Sequence, residues 1–141
     1  MTCFTDVLAQ IAPRQKDALT FVGDSLLPQR RIFGGQVVAQ CLMAANQTVS
    51  AALTAHSLHA YFLRAGDPAT HIDFEVDPIR DGRSFSTRRV VARQNGDAIF
   101  NTSISYHKDE EGVSHCFDMP EVTAPRTEAD DLSGLRGFTT K

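Results

Sequence analysis

The chain has 141 residues, of which 42% are hydrophobic and 22% charged, enough for one domain with a real core. Its net charge of −3 argues against nucleic acid as the main partner. No apolar run reaches the roughly 20 residues of a membrane-spanning helix, and Met1-Thr2-Cys3-Phe4-Thr5-Asp6 lacks the basic and apolar regions of a secretory signal. Cys3, Cys41 and Cys116 are odd in number and far apart, which suggests reduced thiols in a cytoplasmic compartment.

In chain order, Phe4, Val7, Leu8 and Ile11 fall at helical spacing before Pro13 and predict a short amphipathic helix. Leu19 and Phe21 alternate with polar neighbours, so a first strand is expected near 17–23. Residues 24–33 read as loop. Gly34-Gly35 then introduce a helix that is apolar almost all round from Val37 to Ala45 and is expected to end between Val49 and Leu53. Its few polar side chains, Gln36, Gln40 and Gln47, share one narrow stripe that faces either solvent or a cleft. A helix so apolar needs wrapping, and the rest of the chain supplies strands.

Residues 55–64 are β-favouring, with His56, Leu58, Ala60 and Phe62 on one face and Ser57, His59 and Tyr61 on the other. Ile72, Phe74 and Val76 alternate with charged residues in the cleanest half-buried strand. The strand from about Ser84 to Gln94 has a mixed pattern that suggests a bulge. Asn95-Gly96 is a strong signal for a two-residue hairpin. It leads into a fifth strand with Ala98, Phe100, Thr102, Ile104 and Tyr106 on one face. Beyond Tyr106 the periodicity stops. The expected division is therefore a domain over 1–117 and a linker-like or disordered tail over 118–141.

A strand, a buried helix and four strands in hairpin order form an α+β arrangement: a long central helix wrapped by a curved antiparallel sheet of about five strands, plus the short N-terminal helix. This is the outline of a single hot-dog fold. Four stretches carry a closer resemblance: Arg31–Gln40, His56–Asp67, Arg80–Val90 and Gln94-Asn95-Gly96. In order and spacing they resemble the N-terminal half of the acyl-CoA thioesterase II family, and Met119-Pro120 resembles the start of that family's inter-domain linker. The resemblance implies acyl-CoA thioesters as substrate class and hydrolysis to free fatty acid and CoA. It also implies a double hot-dog protein of about twice this length. The Asp, Thr and Gln attributed with the hydrolysis in that family belong to the C-terminal half, and no residue here takes their place.

The chemistry needs a polarised carbonyl and an activated water. Gly35 and Gln36, at the helix start, are the candidates for the first, since unpaired N–H groups there stabilise a developing oxyanion. The alternative is that Gly34-Gly35 only make a tight turn. The helix itself carries no carboxylate. His56 is the candidate general base because it shares a predicted face with Leu58 and Phe62; the alternative is an ordinary hydrogen-bonded strand residue. Asp67 reads rather as a turn cap. Arg64, Arg83 and Arg88 are candidates for the CoA phosphates, against an alternative of ion pairs with Asp73, Glu75 or Asp77. No phosphate-loop, dinucleotide-binding or metal-binding motif is present, and no cofactor or metal is expected. The competing functions are a non-catalytic acyl-CoA-binding or structural half and, far less supported, an enoyl-CoA hydratase, which needs an Asp–His pair near the helix. The exposed edges of such a sheet predict a homodimer or a complex with a second hot-dog half.

Overall fold

A computed structural model describes residues 8, 11–25 and 30–123. The predicted N-terminal helix falls largely outside them, as does the tail beyond residue 123. The chain forms two units, Met1–Glu110 and Glu111–Lys141. The described part of the second unit, 111–123, is extended, and Val113, Phe117 and Met119 in it are exposed.

Among its described residues the first unit has six strands and one helix. They are β1 (Arg14–Gln15), β2 (Thr20–Gly23), α1 (Gly34–Asn46), β3 (Leu53–Phe62), β4 (Ile72–Asp81), β5 (Phe85–Gln94) and β6 (Asp97–Lys108). The sheet is antiparallel in the order β1-β2-β4-β5-β6-β3. It has six strands, not five, because Arg14 and Gln15 pair with Val22 and Phe21. Two residues are too short a run to show a period. The Asp17 carboxylate closes the connecting turn by accepting the Leu19 and Thr20 N–H groups and the Thr20 hydroxyl. Those bonds hold its pKa below the usual carboxylate value.

The hairpin at Asn95-Gly96 forms as its residue types dictate, with φ of 51° and 86° at the two positions. The core joins Phe21, Phe74, Phe100, Ile72, Ile104 and Val90 of the sheet to Val37, Cys41, Ala44 and Ala45 of α1. Each large side chain removed from water contributes about 1.5–3 kcal/mol. Burial also pushes the Cys41 thiol far above its usual pKa, so it behaves as a small inert hydrophobe.

Three sequence expectations change. First, α1 spans 13 residues and stops at Asn46, short of Val49. Gln47 and Thr48 donate their N–H groups to Ala44 and Ala45, three residues back, which tightens the last turn and ends the helix. Gly35 and Met43 on its far side stay exposed. Second, the glutamine stripe is split: its first two members face neither solvent nor a cleft, and Gln47 is exposed. Gln36 and Gln40 are buried and both donate to the Asp24 carbonyl, at 2.9 and 3.2 Å, while Gln47 donates to the Pro13 and Met43 carbonyls. Two of the three thus tie the end of β2 to the helix, and the third reaches the start of β1. Third, the mixed pattern of β5 is not a broken alternation. Ser86, Arg88, Val90, Ala92 and Gln94 all face inward in strict period two. The inward positions include polar residues, and Phe85 faces out. The register shift opposite Ala92/Arg93 comes from an extra residue in β6, Ile99, so the expected bulge lies in the partner strand and not in β5.

Candidate functional site

Phe33 precedes α1 in an extended conformation, with no side chain capping the helix. The Gln36 N–H donates to the Phe33 carbonyl at 3.0 Å. The N–H groups of Gly34 and Gly35 have no acceptor among the described residues, so they are the orphan donors of the helix start. At both glycines an added Cβ would press on an aromatic ring, and neither has a positive φ. A Cβ on Gly34 would lie 2.9 Å from the Phe62 ring, and one on Gly35 would lie 2.5 Å from the Phe33 ring. Two exposed aromatic rings therefore rest on the backbone that carries the free N–H groups.

Beside this helix start lies a cleft of about 410 Å³, within the size range of small-ligand sites. Val37, Phe62, Ile99 and Phe100 give it an apolar floor, Arg31 and Arg64 give it charge, and Gly34 and Gly66 bring backbone to its surface. The Phe62 ring packs on Phe100 with centroids 4.9 Å apart. The wall after β3 is fastened to β6: Leu63 and Arg64 donate N–H bonds to the Ile99 carbonyl, and Arg64 Nη1 donates to Ala98 O at 2.7 Å.

The turn that follows is held from inside. Buried Gln94 accepts the Asp67 N–H at 2.8 Å and donates to the carbonyls of Asp67 and Thr70, at 2.8 and 2.7 Å. The Asp67 carboxylate accepts from the Ala69 N–H and the Thr70 hydroxyl, the turn-capping role read from the sequence. With the turn fixed, the Gly66 carbonyl accepts the Ile32 N–H at 3.2 Å. A Cβ at Gly66 would lie 2.7 Å from Ile32. Gln94 thus sets the distance between the two chain segments that form the cleft wall.

The six residues singled out in the sequence do not converge. Arg64 lines the cleft, and Gly35 is adjacent to its lining residue Gly34. Gln36 is not available: its side chain is buried against Asp24 and Gln40, and its N–H is used by Phe33.

His56 is on the wrong face. A β-bulge between Ala55 and Ser57 inserts His56 as an extra residue and changes the parity of the strand. His56 Nε2 shares a 2.8 Å hydrogen bond with Ser105 Oγ, and its ring meets His107 edge-on at 4.9 Å. These partners lie on the outer face, whereas Leu58, Ala60 and Phe62 pair with the inward Ile104, Thr102 and Phe100. The outer face also carries the ion pairs Arg89–Asp77 and Arg93–Glu75.

Arg83 sits beyond β4, where Gly82 donates its N–H to Phe85 O in a turn that leaves no room for a Cβ. Arg88 is 3% exposed and makes five hydrogen bonds: to Thr48 Oγ1 and O, Arg80 O, Thr87 O and Asp81 Oδ1. A guanidinium has five N–H donors, so none remains for a phosphate. Both arginines lie toward the C-terminal end of α1, away from the cleft.

Sequence reading missed Arg31 and Phe62 as lining residues of the cleft and Gln94 as the support of its adjoining turn. The parity of Val90, Ala92 and Gln94 was the available signal for Gln94. Nothing local marks Arg31 or Phe62, which meet only through the tertiary fold.

This arrangement of one helix on an antiparallel sheet is a hot-dog thioesterase fold. A solved structure of the tesB protein from Mycobacterium avium subsp. paratuberculosis superposes with a TM-score of 0.75 at 40% identity, covering 89% of this chain and 50% of that one. Residues 24–107 match the model of the acyl-CoA thioesterase N-terminal domain, and the chain belongs to that family. It is 44% identical over 100 residues to human acyl-coenzyme A thioesterase 8, covering 70% of this chain and 31% of that protein. It is 42% identical over 116 residues to acyl-CoA thioesterase 2 of Haemophilus influenzae, covering 82% and 41%. The chain therefore spans between about a third and a half of the length of these relatives.

Proposed function

We propose that this chain serves acyl-CoA hydrolysis as the half that holds the thioester. The observation that carries this reading is the cleft itself: an apolar floor beside two unpaired N–H groups, with no carboxylate or imidazole among its described lining residues. The acyl chain lies along Val37, Phe62 and Phe100. The thioester carbonyl meets the N–H groups of Gly34 and Gly35, which stabilise negative charge on its oxygen. Arg64 reaches toward the CoA end. Hydrolysis also needs a base to take a proton from water as its oxygen bonds to the carbonyl carbon and the C–S bond breaks. In this reading a second hot-dog half, or a second copy, supplies that base across the open α1–β3 side. Leu58 and Phe62 are exposed there, and β3 is an edge strand. A cytoplasmic location is proposed on the same footing, supported by free Cys41 and Cys116.

The test measures octanoyl-CoA binding and thiol release by the purified chain alone. The expected result is saturable binding without release. Turnover by the chain alone would show that it is a complete enzyme, and absence of binding would overturn the reading. Light scattering is expected to give a dimer; a monodisperse monomer counts against pairing with a second copy.

A further inference from the structure

We propose that Arg31 and Arg64 form a two-arginine clamp for the phosphate groups of the CoA moiety, and that this clamp sets the direction in which the thioester lies in the cleft. The inference rests on the acyl-CoA reading above and deepens it. Arg31 and Arg64 are the only charged side chains among the described residues that line the cleft. Both are exposed, and neither is in any ion pair among the described residues. Arg31 makes no side-chain hydrogen bond there, and Arg64 spends one donor, on Ala98 O. Asp67, three positions after Arg64, has both carboxylate oxygens turned into its own loop.

Two unneutralised guanidinium groups at one concave site repel each other unless an anion joins them. Among the described residues, Arg14, Arg88, Arg89 and Arg93 pair with Asp24, Asp81, Asp77 and Glu75, whereas Arg31 and Arg64 are two unpaired arginines that line one cleft. Guanidinium matches phosphate oxygens in bidentate geometry. The two arginines come from two separate chain segments: Arg31 precedes the helix, and Arg64 follows β3. The Ile32–Gly66 hydrogen bond joins these segments beside the cleft. A phosphate held between them leaves the pantetheine arm to run past Gly34, with the acyl chain beyond it on Phe62 and Phe100. The reverse direction would place the acyl chain among cations.

Calorimetric titration of the full chain with octanoyl-CoA and with octanoyl-pantetheine, which keeps the thioester but has no phosphate, tests this. Wild type is expected to bind octanoyl-CoA at least roughly tenfold more tightly, the size of one hydrogen bond to a charged group. The Arg31→Ala/Arg64→Ala double variant is expected to abolish that difference while binding octanoyl-pantetheine as wild type does. Its octanoyl-CoA affinity is expected to lose its dependence on salt. Arg89→Ala, on the outer face, is expected to keep the difference. Equal wild-type affinity for the two ligands would overturn the clamp and leave the acyl-CoA reading standing. So would a double variant that retains the difference or weakens both ligands alike. Failure of wild type to bind either ligand would overturn the acyl-CoA reading, and the clamp with it.

Discussion

The two ends of α1 lie about 20 Å apart, as 13 residues at 1.5 Å each require, and each has arginine beside it. At the C-terminal end Arg88 is buried and its five donors are all used, two of them on Thr48 just past the helix. At the N-terminal end Arg31 and Arg64 are exposed beside a cleft, and the N–H groups of Gly34 and Gly35 have no acceptor among the described residues. One end is closed by its own side chains, and the other is left to be completed. Residue type does not distinguish the two roles. What distinguishes them is how many donors the fold has already consumed.

The largest expected effect comes from breaking the closed end. Arg88→Met leaves the Thr48 and Arg80 carbonyls without their donor and is expected to cost about 3 kcal/mol in urea unfolding. Arg31→Met and Arg64→Met are each expected to stay within about 0.5 kcal/mol of wild type. Comparable losses at both ends would erase the contrast. Next in size is Gln94→Leu, which removes three hydrogen bonds from the 67–70 turn. It is expected to cost about 2 kcal/mol and to speed amide exchange at Asp67 and Ile32 more than in the core of β5. Uniform acceleration would mean that Gln94 serves overall stability and not the cleft wall.

A smaller effect concerns pH. Tyr106 donates to Asn46 Oδ1 near the closed end, and burial pushes its phenol up to about 12, with Arg88 acting in the opposite direction. Because the unfolded chain loses this proton near pH 10, the folded state holds it longer. Stability is complete below pH 10 and is expected to fall as pH rises from 10 toward 12. In Tyr106→Phe that part of the decline is expected to vanish, at a cost of about 1 kcal/mol at neutral pH; an unchanged alkaline limb would refute the assignment. The smallest effect on stability is expected for Gly34→Ala. It changes unfolding by less than about 1 kcal/mol yet displaces the Phe62 ring and weakens octanoyl-CoA binding. Unaltered binding would show that the ring and the helix start do not form one site.

Several elements are legible in the sequence alone. Asn95-Gly96 forced the β5–β6 hairpin because few residue pairs tolerate two positive φ values. Strict alternation through Ile72, Phe74 and Val76 set the inward face of β4. The glycine-led apolar run set α1, and its start proved to adjoin the cleft. These readings succeed because the cause is local: a dihedral preference or a period that a few neighbouring residues express together.

His56 and Arg88 show where that stops. The face of His56 depended on a bulge that arises from pairing with β6, and a strand alone carries no record of its partner's register. The fate of Arg88 depended on acceptors 40 residues earlier at Thr48 and seven earlier at Asp81. Gln36 was likewise captured by the Asp24 carbonyl from a different element. The sequence by itself determined the helix start, the four longer strands after it, their order and the family outline, but not the two-residue β1 or the helix end, since propensity and periodicity need several residues to be expressed. Only the tertiary structure decided which polar groups were consumed by the fold and which were left for a ligand, because hydrogen bonds between distant segments obey no period.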